Sequence, residues 1–575
     1  MSRQVAPGAP PPPVDLYATF TSDTILEVRT GKMKPLRGLA VESGIDKTIR
    51  HGPVRVTEMG LEGDEHDPTF HGGLDKAIHG YCSSHYPTWQ SEYPSAAAHF
   101  QPGGFGENLV TAHLNERNLC IGDIVAIRGH QPNSDNNNDN EDAVLLQVSL
   151  PRQPCFKLNH RFQLKNFAPN TWKTSRTGWY FRVLRGGFVQ AGDTITLVER
   201  RHPTWTIARV QEYLHRNTGD AARNEELAGI SEFGAECRDV FRARVARQRA
   251  RERREARGKE KEKWWAYRVV ERTRQTARIV SFVLEAVEPL REGEAGGEEA
   301  KFKPGAHAKI RLGNGLVRAY SVVDGDRNRF QLGVALGEKS RGGSRYLHEE
   351  VRVGDTLQVG AITAAVPTAS AASHHVFVAG GVGITAFLAL VEYYKSIHYS
   401  VALHYAVRSA EEVPFRERLA QLGEDVVIYD KAAGKRLDVR RIVESMPWNS
   451  QLYFCGPKRL MDEALRQTKV HGIAEKEVHF EAFEADVSGD PFEVVVTNRG
   501  GKTIKVGEEE TLLECLQKEF DEVDSSCGVG NCGTCRVNLK DGRVDHRGTA
   551  LTEEEKAASM LACVSRGIGR ITIEI

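Results

Sequence analysis

The stretch SSCGVGNCGTC, residues 525–535, decides how the end of the chain is read. Cys527, Cys532 and Cys535 stand as C-x4-C-x2-C, and LACVSR at 561–566 adds a distant fourth thiol, Cys563. Two irons and two sulfides need four thiolates, and this is a spacing that 2Fe–2S clusters use. Gly528, Gly530 and Gly533 let backbone amides approach the cluster sulfurs. Four thiolates also suit tetrahedral zinc, but zinc sites usually present paired C-x2-C units, so the cluster is preferred. Cys515 sits apart in the helix pattern LLECLQ and reads as a core residue.

The flanks agree with that reading. A strand at 492–496, a return strand at 503–506 and a helix at 511–519 precede the cysteines. Together they resemble the β-grasp fold of plant-type ferredoxins, here over residues 490–575.

Two further stretches bind phosphate-bearing groups by their chemistry. Residues 318–321, RAYS, follow an apolar strand and place Arg318, Tyr320 and Ser321 where a flavin needs a cation, an aromatic ring and a hydroxyl. Downstream, Arg341, Gly342, Gly343 and Ser344 open a helix-like run whose free amides suit a phosphate. Next, HHVFVAGGVGITAFLALVEYYK runs from strand through a glycine turn into a helix, so Gly380, Gly381, Gly383 and Thr385 form a pyrophosphate cradle. A later strand ends in Cys455-Gly456-Pro457 at the matching carboxyl edge, making Cys455 a candidate neighbour of the nicotinamide. A buried packing role for that cysteine stays open.

RAYS, SRGGSRYLHE, VAGGVGIT, YFCGP, VHFEAF and the cysteine set together resemble the phthalate dioxygenase reductase family over residues 265–575. The resemblance implies a flavin barrel at 265–368, a Rossmann-like nucleotide domain at 369–485 and the ferredoxin domain last. It implies that Arg318, Tyr320 and Ser321 contact the flavin, that Arg341 to Ser344 hold its phosphate, and that Phe483 packs on the isoalloxazine ring. It implies FMN and NADH. The sequence leaves FAD open, and HYAVR at 404–408 shows no basic pair for a 2′-phosphate, although Arg408 leaves NADPH open. A nicotinamide gives two electrons as hydride and a 2Fe–2S cluster takes one at a time, so a flavin must stand between them.

The first half has its own dense polar set. HGGLDKAIHGYCSSHYPTW (71–89) holds His71, Asp75, Lys76, His79 and His85, and GGFGENL (103–109) adds Glu107 and Asn108. LPRQPCFKLNHRF (150–162), read as a strand, carries Arg152, Cys155, Lys157 and Arg161; TGWYFRVLRGG (177–187) carries Arg182 and Arg185. Cations gathered round one cysteine suit a metal–thiolate site with a phosphorylated cofactor. Residue chemistry alone leaves packing roles open for Cys155 and the His71/His79 pair.

These motifs resemble MOSC-domain proteins of the type associated with resistance to N-hydroxylated base analogues, with their three-helix appendage. The resemblance implies a β-barrel at 21–200, an appendage at 201–247, molybdenum cofactor, and Cys155 as the protein ligand to molybdenum. Lys76, Arg152, Arg161 and Arg182 are candidate pterin contacts by charge and position. Glu107 or His79 is the candidate proton donor. The insertion SDNNNDNED, within 130–142, reads as a surface loop.

The chain of 575 residues exceeds one core and suggests about four domains. Lys plus Arg equals Asp plus Glu at 77 each, which predicts no polyanionic partner. Residues 242–263 are rich in arginine and lysine but lack interleaved aromatics. They read as a solvated helix, with the linker at 248–264, and no nucleic acid is expected. No apolar run reaches the about 18 residues of a membrane span, and residues 1–20, proline-rich and without an apolar h-region, read as a disordered lead-in to a cytoplasmic protein.

The fold class expected is therefore multidomain, α+β and α/β. The expected activity is electron flow from NADH through flavin and 2Fe–2S to molybdenum, reducing a small N-hydroxylated compound such as a hydroxylaminopurine to its amine. The alternative is an electron-transfer reductase for a separate acceptor protein, an oxygenase, with the MOSC part as a docking or cofactor-binding module.

Overall fold

The protein is described from a computed structural model. The described residues are 19–36, 41–67, 72–129, 143–256, 263–290, 302–337, 342–364, 372–483, 487–520, 523–525, 527–531, 533–548, 550–551 and 553–575. His71, Arg341, Cys532, the 130–142 insertion and the N-terminal lead-in lie outside them. The chain divides into two compact units, essentially residues 1–256 and 257–575.

In the first unit, seven strands close into a barrel. Thr194–Glu199, Ile124–Arg128, Val144–Pro151, Trp179–Arg185, Ile78–Cys82, Leu109–Thr111 and Ser22–Thr30 pair in turn, and the last returns to the first. Alternation drives this: in Ser22–Thr30, Asp23, Ile25, Val28 and Thr30 are buried between more exposed neighbours. A helical stripe of Ile207, Val210, Leu214, Leu227, Ile230 and Phe233 follows the barrel, and all six are buried. It does not form a core of its own. These side chains belong to one continuous cluster with the barrel residues Leu119, Ile121, Val148 and Leu150. The last helix, Ala235–Ala256, runs into the stretch read as linker.

The second unit carries three sheets. Six strands from Trp265–Arg274 to Thr356–Ala364 form a closed barrel. Next is a five-stranded parallel sheet in the order Val426–Asp430, Ser400–Val407, His374–Gly380, Ser450–Cys455, Val478–Glu481. Its first strand is central, so the strand order reverses between Gly380 and Cys455, the crevice where such sheets bind ligands. Val323, from the barrel, is buried in the core of this parallel sheet. Last comes a mixed five-stranded sheet in which Phe492–Val496 runs parallel to Arg566–Glu574. Helix Leu512–Glu519 accompanies it, opened by a capping box between Thr511 and Glu514 and packed on the core through Leu512, Cys515 and Leu516. Among the described residues, no helix is long and apolar enough to cross a membrane.

Candidate functional site

Two glycine segments meet at the crevice of the parallel sheet. Strand His374–Gly380 runs into the turn Gly381–Gly383 and then helix Ile384–Ser396. A methyl group on Gly383 would lie 2.3 Å from the Cys455 carbonyl oxygen and 3.1 Å from its Sγ. A methyl group on Gly456 would lie 3.1 Å from the Gly380 nitrogen, so the two segments approach closely through their glycines. Thr385 Oγ1 donates to the Val382 carbonyl at 2.9 Å and closes the turn. Cys455 is fully buried, and burial first, the nearby Glu481 second, pushes its thiol well above the usual range.

On the barrel, strand Val317–Gly325 presents Arg318, Tyr320 and Ser321. Gly343 opens helix Gly343–Glu349, and a methyl group there would meet Arg318 Cγ at 2.7 Å and the Tyr320 hydroxyl at 3.2 Å. RAYS and the Gly342-Gly343-Ser344 turn therefore share one surface, as a flavin and its phosphate require. Ser321 Oγ is buried without a hydrogen-bond partner among the described residues, a polar atom of the kind a ligand satisfies. Phe483 packs partly buried against the parallel-sheet core.

The cysteine loop docks onto this same region. Lys309 Nζ, on the barrel strand Ala306–Arg311, donates to the Ser525 carbonyl at 2.9 Å. Asn531 Nδ2 donates to the Ala482 carbonyl at 2.9 Å, and Asn531 N donates to Cys527 Sγ at 3.3 Å. Ala482 precedes Phe483, so the cysteine loop is bonded to the chain next to a residue expected at the flavin. Cys535 and Cys563 are buried in the ferredoxin core while Cys527 is half-buried. Glu481 is buried and its Oε2 has no partner among the described residues. Burial first, and the charge at Cys527 second, raise its carboxyl to about 8.

In the first unit, Cys155 is not on a strand. Strand Val144–Pro151 ends at Pro151, and Cys155 caps the N-terminus of helix Phe156–Phe162. Pro151 and Pro154 remove the amides a continued ladder would use. The thiol is half-buried and lines a cavity with Lys47, His66, Lys76, His79, Arg152 and Lys157. Lys47 pairs with Asp64, itself bonded by Asn108 Nδ2 at 2.9 Å, and Lys157 Nζ lies 3.3 Å from Asp67. Burial pushes the Lys47 amine below its usual range, opposed by Asp64. Arg152 is buried with Nη1 unpartnered among the described residues. A thiol among buried cations, one with a spare donor, has the chemistry a phosphorylated thiolate-bound group needs. The cavity among the described residues has a volume of about 60 Å³, below the roughly 300 Å³ of a small-molecule site.

Two family models match the chain: a MOSC domain over residues 67–196 and a 2Fe-2S iron-sulfur cluster binding domain over 495–566, which contains all four cysteines. A protein of Gibberella moniliformis (strain M3125 / FGSC 7600) described as a reductase is 36% identical over 581 residues, covering 98% of this chain and 97% of its own. The chain belongs to this reductase family. The carnitine monooxygenase reductase subunit of Escherichia coli (strain K12) is 34% identical over 280 residues, covering 47% of this chain and 87% of its own. The solved phthalate dioxygenase reductase is 27% identical, with a TM-score of 0.44, over 54% of this chain and 98% of its own. The protein is an oxidoreductase with a flavin-type reductase part and a 2Fe–2S electron-transfer part, joined to a MOSC domain.

Within this reductase, the positions picked out by motif fall into two groups. In the second unit, Gly343 meets Arg318 and Tyr320, and Gly383 meets Cys455, while Arg341 and Cys532 lie outside the described residues. In the MOSC part, Lys76, His79, Arg152 and Cys155 line one cavity, but three expected positions do not. Arg161 bonds Asp46 and the Gly103 carbonyl at 3.4 and 3.2 Å. Arg182 bonds Asp75 and Gln147, at 3.0 and 2.9 Å, along the barrel wall. Glu107 is fully buried, accepting from Tyr86 and the Gly103 and Phe105 amides at 2.5, 2.6 and 3.2 Å. It holds the glycine loop and does not line the cavity. The residues missed by sequence were Lys47, Asp64 and His66 in the cavity, and Lys309 and Glu481 beside the cysteine loop. Lys157 had been noted, and its place inside KL of the cysteine motif was the available signal.

Proposed function

We propose that the chain is an NADH-dependent electron-transfer reductase for a separate oxygenase, with its MOSC part as a cofactor-binding or docking module. The contact of Asn531 with Ala482, reinforced by Lys309 with Ser525, carries this reading, because it ties the cysteine loop to the segment before Phe483 and to the barrel. A bound flavin supplies the exchange between two-electron hydride transfer and one-electron steps. Gly380 to Gly383 and Cys455 to Pro457 would hold the nucleotide's pyrophosphate and nicotinamide ends, Arg318 to Ser321 with Gly342 to Ser344 an FMN, and the four cysteines the cluster. The carnitine monooxygenase reductase subunit, matched over the second unit, supports an oxygenase as recipient.

A second reading is favoured by the Cys155 cavity: a molybdenum-dependent reduction of N-hydroxylated compounds to amines within the same chain. Cys155 would bind the metal, Lys47, Lys76, Arg152 and Lys157 would hold the cofactor's phosphate, and His79 is the proton-carrying group in the lining. One experiment separates the readings. Purified protein receives NADH with ferricyanide, cytochrome c, or a panel of hydroxamates and amidoximes, and is compared with Cys155→Ala. Cytochrome c reduction that survives the substitution, with no N–OH compound reduced, supports the first reading. N–OH reduction abolished by Cys155→Ala, with one molybdenum per chain lost, supports the second. Failure of NADH to reduce any acceptor overturns both.

A further inference from the structure

The first unit holds a second cleft, of about 840 Å³, whose lining shares no residue with the Cys155 cavity. It opens between helices His85–Glu92 and Phe167–Lys173 on one side and Ile207–Gln211 with its continuation Glu212–Arg216 on the other. Five cations line it, Arg117, Lys173, Arg176, Arg209 and Arg216, against the two carboxylates Glu92 and Glu212. Five less two leaves an excess of three positive charges, in a chain whose formal net charge is zero.

Two polar groups in the cleft wall are buried and incompletely used. Arg176, 6% exposed, gives Nη2 to both oxygens of Glu92 at 2.8 and 2.6 Å and stacks its guanidinium 3.5 Å from the Trp89 ring centre. Its Nη1 has no hydrogen-bond partner among the described residues. His85, fully buried, meets Glu116 Oε2 through Nε2 at 2.7 Å, while Nδ1 has no partner among the described residues. With Nε2–H committed to Glu116, Nδ1 accepts from an acidic O–H when the ring is neutral and donates to an oxyanion when it is charged. A buried donor left without an acceptor is costly, and Arg176 Nη1 is such a donor among the described residues, so a ligand that supplies oxyanion acceptors is favoured here. Among the described residues no Trp, Tyr or Phe lines the cleft, so they offer no platform for stacking nucleic-acid bases. Its volume lies in the range of sites for single small molecules.

We propose that this cleft binds a phosphorylated small molecule, its phosphate held by Arg176 with His85 beneath and by Lys173, Arg209 and Arg216 at the rim. The site is separate from those for flavin, nucleotide and any cofactor at Cys155. The test is calorimetric titration of the full chain with inorganic pyrophosphate, under saturating FMN and NADH so that the phosphate sites of the second unit are filled. The expected result is one saturable site per chain, weakened by added salt. Lys173→Ser combined with Arg209→Ser, both removing rim cations, should weaken binding at least tenfold. Arg176→Gln should do the same, and the rim variant decides if that buried substitution prevents folding. The absence of saturable binding, a rim variant that binds like the parent, or loss of binding in Arg152→Gln instead would overturn the proposal.

Discussion

Gly383→Ala tests whether the closely approaching glycine segments set the nucleotide site. Gly383 has φ −56°, an ordinary helical value, so alanine meets no backbone strain. Gly383 is the N-cap of helix Ile384–Ser396, where alanine is a poorer residue than glycine, so helix propensity offers no gain. The new methyl would sit 2.3 Å from the Cys455 carbonyl oxygen and 2.7 Å from its carbon. A close carbon–oxygen contact needs about 3.3 Å, so backbone on one side must retreat by about 1 Å. Overpacking of this kind costs about 1–3 kcal/mol, which is the expected loss of stability. The functional effect should be larger, because misplacing reacting groups by about 1 Å can cost about 100-fold in rate. Urea unfolding reads the first quantity, and kcat/KM for NADH with ferricyanide reads the second. The expected outcome is a modest stability loss with a 10- to 100-fold fall in kcat/KM. A variant as stable as the parent, with unchanged kcat/KM, would refute the claim that this contact positions the site.

Cys563→Ser should remove bound iron and cut cytochrome c reduction at least 100-fold while ferricyanide reduction at the flavin persists; equal loss of both activities would argue against serial transfer. Lys309→Ala removes the hydrogen bond to Ser525 and should slow cluster reduction in stopped flow by several-fold without changing flavin reduction by NADH; slowing of the flavin step instead would contradict the docking role. Glu481 gives a pH signature. Its folded-state carboxyl, raised mainly by burial from 4.5 to about 8, keeps a proton the unfolded chain releases. Its stabilisation is thus fully present below about 4.5 and is lost as pH rises through about 8, at most about 5 kcal/mol. Glu481→Gln should flatten that part of the stability–pH curve, and a slope identical to the parent's would show that Glu481 does not titrate there.

Three of the cluster cysteines and the nucleotide cradle were legible because their spacing is local, while Cys563 comes from a distant segment. Cys527 and Cys535 share one loop, and Gly380 to Thr385 are a single strand–turn–helix, so spacing along the chain nearly determines spacing in the fold. The helical stripe from Ile207 to Phe233 was legible for the same reason, through its periodicity. What periodicity could not say is where that stripe is buried: its residues complete the barrel's core rather than forming one of their own. Nor did the sequence disclose that Cys155 leaves its strand to cap a helix, or that Glu107 turns inward to tie its own loop.

The Cys155 cavity is assembled from segments spread between Ser43 and Tyr180, among them Lys47, Asp64, Asn108 and Arg152. Charge made Arg161, Arg182 and Lys76 look equivalent in the sequence. Tertiary structure separated them, because on a closed barrel a side chain's neighbours depend on strand register and wall, and a nearby carboxylate such as Asp75 or Asp46 claims an arginine before a cavity can. The sequence by itself determined which chemistries the chain carries, since thiols, glycine turns and phosphate-binding cations are local necessities. Only the fold decided which of these groups meet, placing Asn531 against Ala482 and Lys309 against Ser525 across long stretches of chain, because such contacts depend on how packed sheets bring distant loops together.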